Sequence, residues 1–192
     1  MPFIIRLIQN LEMSENLSVR ELESSDIELI AQYWADADGS FLRSIGVEMS
    51  KLPTKEIFMQ NLQAQLNEPL EKKKSFCLVW LLDGKPIGHC NTNPTVFGEY
   101  AYMHLHIWNI DSRKKGMGEK LLQLTLPFFF DTLQLKTVYS EPYALNAAPN
   151  KTFKKVGFEY LRQYVTTPGT LNFQQPVKRW ELTREEYKRK KK

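Results

Sequence analysis

The feature that most restricts this chain is a strand-like run that passes through a glycine turn into a helix-like run. It lies at Ile107-Trp-Asn-Ile-Asp-Ser-Arg-Lys-Lys-Gly-Met-Gly-Glu-Lys-Leu-Leu122, where Arg113, Gly116 and Gly118 stand in the spacing R-x-x-G-x-G. Glycine lets a ligand approach the backbone without a side chain in the way. The first turn of a helix offers unpaired N–H groups and a partial positive charge. Together these make a seat for a phosphate or pyrophosphate, and Arg113, Lys114 and Lys115 add positive charge around it. A dinucleotide fingerprint needs a third glycine at position 121, which is Leu121. The P-loop string G-x-x-x-x-G-K-[ST] does not occur.

The rest of the chain supplies a frame for that turn. Leu17-Ser-Val-Arg-Glu-Leu alternates as a strand does, and Ser24-Ser-Asp opens a helix carrying Ile27, Ile30, Ala31 and Trp34. A second helix is predicted over 54–67, with Ile57, Phe58, Leu62 and Leu66 on one face. Asp83-Gly84 between two apolar runs is a hairpin signal. Strands are expected at 100–110 and 135–139, with a helix from Gly116 to about Phe130 between them. A short helix over Ala147–Val156 ends at Gly157, and Phe158–Val165 pairs with Val177–Leu182 through a long connection. The predicted order is β-α-α-β-β-β-α-β-α-β-β. The fold class is α/β or α+β, one domain with flanking helices.

Composition bounds the function. The chain has 192 residues, 42% apolar and 25% charged, an ordinary globular balance. Net charge is +4, and the last five residues, Lys188 to Lys192, are all basic, so the body without them stands at −1. Global basicity therefore does not argue for nucleic acid, and the tail reads as a frayed, solvated end. Cys77 and Cys90 lack a metal-type spacing and fit buried thiols in a reducing, cytoplasmic compartment. No apolar run is long enough to cross a membrane. Residues 1–13 read as an extension, 14–187 as the domain and 188–192 as the basic tail.

For the glycine turn two readings remain, the pyrophosphate turn of an acyl-CoA binder and a turn that merely starts a helix. Farther on, Asn146-Ala-Ala-Pro-Asn-Lys-Thr-Phe-Lys-Lys-Val-Gly-Phe158 follows the next strand, with Lys155-Val-Gly-Phe158 as a K-x-G-F ending. Strand, R-x-x-G-x-G, helix, strand and this segment together resemble the GNAT acetyltransferase superfamily. His104-Leu-His-Ile-Trp108 and Arg179-Trp-Glu-Leu-Thr-Arg-Glu-Glu186 are similar to its ribosomal-protein-alanine N-acetyltransferase branch. The resemblance implies a mixed, mostly antiparallel sheet whose middle strands splay apart. It implies acetyl-CoA as co-substrate, with no metal. Its pantetheine arm would lie in the gap on backbone groups of Trp108, Asn109 and Ile110. Its pyrophosphate would sit on Lys114, Lys115, Gly116, Met117, Gly118 and Glu119, beside Arg113. Asn146 and Asn150 would complete the cofactor site, although Asn146 also suits simple N-capping.

Acetyl transfer to an amine asks for a base and benefits from an acid. Tyr102, His104 and His106 alternate, so they share one face of a strand. His104 is the first candidate base, then His106; ordinary core histidines are the competing reading. Glu141 and Tyr143 lie after the next strand. Many members of the family carry a Tyr acid where this chain has Phe153, so that role is vacant or has moved to Tyr143. Tyr33, Trp34, Phe41 and Tyr102 are the candidate acceptor wall, with Asp36 and Asp38 nearby. The expected acceptor is a small-molecule or peptide amine bound by a monomer or homodimer. A catalytically silent acyl-CoA-binding domain is the alternative.

Overall fold

The computed structural model describes residues 16–108 and 116–190. Seven strands form one sheet in the order β1-β2-β3-β4-β5-β7-β6. They are β1 (Leu17–Glu21), β2 (Phe76–Leu82), β3 (Lys85–Val96), β4 (Tyr100–Ile107), β5 (Thr137–Ser140), β6 (Glu159–Thr166) and β7 (Gln175–Thr183). Every neighbouring pair is antiparallel except β4 and β5, which run parallel. Six α-helices lie among the described residues: α1 (Ile27–Ala35), α2 (Gly39–Ser44), α3 (Lys55–Asn67), α4 (Met117–Pro127), α5 (Ala147–Val156) and α6 (Arg184–Lys190).

The sheet has a core on each face, and β2 shows why. A strand covered on both faces reads as an unbroken apolar run, as Phe-Cys-Leu-Val-Trp-Leu-Leu does. Phe76, Leu78 and Trp80 enter one cluster with α4, α5 and α6, while Cys77 and Val79 enter the other with α1 and α3. Trp80 is fully buried, and its indole N–H donates to Thr125 Oγ1 at 2.8 Å. Both cysteines are free and buried, and burial pushes the Cys77 thiol up to about 12. The predicted Asp83-Gly84 hairpin is present, with φ of 50° and 76° at the two turn residues, the left-handed pair such a tight turn needs.

The helices mostly start and stop where their caps fall. Thr54 caps α3 through Ile57 N–H, and Gly157 ends α5 at φ 94°. Several expectations change. Ile57 is 46% exposed and leaves the core face to Leu62, Phe58 and Leu66. The helix expected to reach Phe130 stays α-helical to Pro127, then widens into a π turn over Phe128–Thr132. Proline lacks the N–H that would continue the ladder. The strand expected to begin at Leu135 begins at Thr137, and the strand expected to reach 110 ends at Ile107 within the described residues. The frayed tail is corrected over its first half: Lys188, Arg189 and Lys190 belong to α6. That helix is held by a reciprocal cap between Thr183 and Glu186 and by Tyr187 stacked on Phe130. The string Thr183-Arg-Glu-Glu186 is a capping-box signature that sequence reading passed over.

Candidate active site

The parallel pair at the middle of the sheet is short. Tyr100, Ala101 and Tyr102 pair with Thr137, Val138 and Tyr139. Beyond them β4 runs on to Ile107, while β5 stops at Ser140, whose hydroxyl donates to Met103 O at 3.0 Å. The strands part from there, as the sequence led one to expect. Trp108 N–H is taken by Ile87 O at 2.9 Å on the β3 side. Strand alternation turns the backbone of Leu105 and Ile107 to the opposite edge, toward the gap. The Trp108 N–H expected to hold the pantetheine arm is thus already used on the β3 side. Close pairing with β3 depends on Gly88, where a Cβ would come within 2.4 Å of His106 O.

The gap opens into a cleft of about 940 Å³. Gly116, at φ 85°, is the N-cap of α4. Among the described residues nothing lies within 4 Å of where its Cβ would stand. Gly116, Gly118 and Glu119 line the cleft, and Glu119 pairs with Lys155 at 3.6 Å. Met117 is buried in the core, so any contact it makes to a ligand comes from its backbone. Asn109, Ile110, Arg113, Lys114 and Lys115 lie outside the described residues.

Asn146 and Asn150 part company. Asn146 stands at the N-cap position of α5, yet its side chain makes no capping bond, and it lines the cleft. Asn150 is buried and engaged on all sides. Its Nδ2 donates to Tyr143 O at 3.1 Å and Asn146 O at 2.7 Å, and its Oδ1 accepts from Trp180 Nε1 at 2.8 Å. It fastens the 143–146 loop to β7 and is not among the cleft-lining residues.

His104, His106, Glu141 and Tyr143 all line the cleft. Desolvation in the cleft wall lowers the pKa of His104, against smaller upward pulls from the Asn93 carbonyl and Glu141. His104 Nε2 lies 3.2 Å from Asn93 O. A carbonyl only accepts, so Nε2 carries the proton and Nδ1 keeps a lone pair. His106 Nδ1 is 3.3 Å from Tyr33 OH, and its ring stacks on His89 at 4.8 Å. Glu141 accepts from Tyr164 OH and pairs with Arg179 at 3.6 Å. Tyr143 packs edge-on to Phe173. Phe153 is buried against Phe158 and Trp180 and forms part of the cleft floor.

Tyr33, Trp34 and Phe41 also line the cleft, whereas Tyr102 does not. Tyr102 accepts from Arg179 Nη2 at 2.8 Å and packs on Tyr139. Asp38 caps α2 by accepting from Ser40 and Phe41 N–H. Those bonds, that from the Ser40 hydroxyl foremost, lower its pKa. Neither Asp36 nor Asp38 reaches the cleft.

Two parts of the site escaped sequence reading. His89 is fully buried, accepts from Trp108 Nε1 at 2.7 Å and has its pKa lowered to about 3, chiefly by desolvation. The long β6–β7 connection folds over the cleft as residues 168–172. Leu171 O accepts from Glu48 N–H at 2.8 Å, and Gly46 O accepts from Asn172 Nδ2 and Gln175 Nε2. Length was its one sequence signal. Among the described residues no cluster of three metal-ligating side chains forms, and no helix is long and apolar enough to cross a membrane.

A cleft that runs from the glycine-led N-terminus of α4 to a wall of aromatic and histidine side chains has a shape suited to group transfer. The sequence profile of the acetyltransferase (GNAT) domain matches residues 16–159, and the chain belongs to that family of N-acetyltransferases. Its fold is similar to a spermidine N-acetyltransferase from Vibrio cholerae, solved with CoA and spermine. That match has a TM-score of 0.72 at 17% identity, covering 89% of this chain and 97% of that one. An aminoglycoside acetyltransferase in complex with coenzyme A matches with a TM-score of 0.68 at 17% identity, over 92% and 100%. RimL, a ribosomal-protein alpha-N-acetyltransferase, matches with a TM-score of 0.71 at 12% identity, over 88% and 95%. No curated protein sequence matches significantly.

Proposed function

We propose that this protein transfers an acetyl group from acetyl-CoA to a primary amine by direct attack within a ternary complex. The observation that carries the reading is one cleft holding both Gly116, at the head of α4, and His104. First-turn amides of α4 suit a diphosphate, and bulk at Gly116 would block it. The gap beside Leu105 and Ile107 suits an extended amide-bearing arm. Asn146, with no capping bond to make, faces the same space. Solved relatives of the same fold hold coenzyme A.

In the reaction the amine nitrogen forms a bond to the acetyl carbonyl carbon, and the carbon–sulfur bond breaks. His104 Nδ1 accepts the amine proton, and neutrality at pH 7 equips it to do so. The departing sulfur takes a proton from the Tyr143 hydroxyl, which solvent restores. Phe153 cannot serve as that donor. This also keeps a second reading, a silent acyl-CoA-binding domain, in play.

Calorimetry with acetyl-CoA on the wild type and on Gly116→Glu tests the cofactor site. Binding to the wild type and a loss of at least about 100-fold in the variant are expected, since the substitution sets bulk and negative charge in an anion seat. No heat with the wild type would overturn the assignment. CoA release with an amine panel separates the two readings: binding without turnover selects the silent domain.

A further inference from the structure

The acceptor end of the cleft is chemically distinctive, and its chemistry narrows the acceptor. Among the described residues lining the cleft the carboxylates are Glu119 and Glu141. Glu119 is at the α4 end and pairs with Lys155. Glu141 is 7% exposed and already holds Arg179 and Tyr164. Neither carries negative charge that a polycation could claim for itself. The acidic pair suggested by Asp36 and Asp38 lies outside the lining, and Asp38 is occupied as a helix cap.

What the acceptor end offers is aromatic surface. Trp34 stacks on Phe58 and meets His106 edge-on at 4.8 Å, and Tyr33 contacts Trp34, His89, His106 and Trp108. These rings come from α1, α3, β3 and the end of β4, so they form a wall and not an isolated pair. Aromatic rings favour an apolar body with an offset or edge-on ring. Their faces also attract a single cation.

Size adds a second constraint. The 168–172 connection is bonded to Gly46 and Glu48 across the cleft, so the acceptor end is roofed. A roofed compartment suits a small molecule better than a folded protein's terminus.

Resting on the acetyltransfer reading above, we infer that the acceptor is a small aromatic monoamine and not a polycation. Its ring lies on the Tyr33–Trp34 wall, and its amine is presented to His104. Polyamines and aminosugars would have to surrender water for a compartment whose carboxylates, among the described residues, are already paired, which is unfavourable for each added charge.

The test is CoA release and, in parallel, calorimetry on CoA-saturated protein with tryptamine, phenethylamine, spermidine, kanamycin and an N-terminal peptide amide. Tryptamine is expected to exceed spermidine and kanamycin at least tenfold in kcat/KM, or in affinity if turnover is slow. Phenethylamine, a second aromatic monoamine, should also exceed both. A polycation or the peptide ranking first overturns the inference while leaving acetyltransfer intact, and so does binding of none of the panel. Failure to bind acetyl-CoA at all overturns both, and is read before any amine is added. Gln65→Glu supplies an independent check. One new carboxylate in the lining should shift the spermidine-to-tryptamine ratio at least tenfold toward spermidine. An unchanged ratio in a folded, CoA-binding variant counts against the charge argument.

Discussion

The two ends of the cleft are built by different means. The end proposed for the cofactor is backbone: a splayed strand edge at Leu105 and Ile107, a left-handed Gly116 and the first turn of α4. Its residues are close in sequence, and on that reading its specificity comes from amides. The acceptor end is side chains. Tyr33 and Trp34, Phe58, His89, His106 and the 168–172 connection arrive from separate parts of the chain and meet only in the fold. On the proposed reading, cofactor use depends on local backbone geometry, whereas acceptor choice depends on side chains that only the long-range assembly brings together.

His104 stands where the two ends meet, so removing it is the strongest way to probe the junction. His104→Ala should lower kcat by about 100- to 10,000-fold while acetyl-CoA affinity stays within about threefold. Steady-state kinetics beside calorimetry check this. Because desolvation lowers the His104 pKa, the acid limb of wild-type kcat should fall below pH 6.5 and vanish in the variant. If His106→Ala has the larger effect on kcat, the base is on the acceptor side and the division drawn above is misplaced.

Asn150→Ala comes next in size and attacks the frame common to both ends. It leaves Trp180 Nε1 and the carbonyls of Tyr143 and Asn146 without their buried partner. Urea unfolding should show a loss of about 2–4 kcal/mol. A loss under about 0.5 kcal/mol would mean the amide is not structural, and its role at the cofactor end would have to be reopened.

How much of this could be read in advance follows the same division. The strand to Ile107 and the helix start at Gly116 were legible because glycine spacing and helix-terminus chemistry are local. So was the sheet, since β2's apolar run and the Asp83-Gly84 turn carry their own signals. The direction of the His104–His106 face was not legible: alternation puts side chains on one side without saying which element covers it. The family resemblance implies a cofactor role for Asn150, but its amide is captured by Trp180, thirty positions away. His89 carried no local signal at all. Its partner Trp108 lies just past the end of the neighbouring strand, nineteen positions away, and only the β3–β4 register brings them together.

His89 gives a gentler test, on the acceptor side. Its pKa of about 3 in the fold, below the ordinary 6.5, means the unfolded chain binds a proton that the native state refuses between those values. Stability should therefore fall as pH drops below about 6.5, with an extra slope of about 1.4 kcal/mol per pH unit from this one group. His89→Gln, which can still accept from Trp108, should remove that extra slope in urea titrations between pH 6.5 and 4.5. Parallel curves for the two proteins would show that His89 takes a proton in the native state and that the aromatic wall is wetter than its burial indicates.

The smallest effect is the one that separates the two readings of Asn146. A side chain that caps a helix loses about 1 kcal/mol of stability on conversion to alanine. Asn146 makes no such bond, so Asn146→Ala should leave unfolding within about 0.5 kcal/mol of wild type. If the amide instead holds the cofactor, acetyl-CoA affinity should fall by about three- to tenfold, the worth of one hydrogen bond. Stability and affinity measured on one sample of the variant give both numbers. Lost stability with unchanged affinity would return Asn146 to the helix and leave the cofactor end to backbone amides alone.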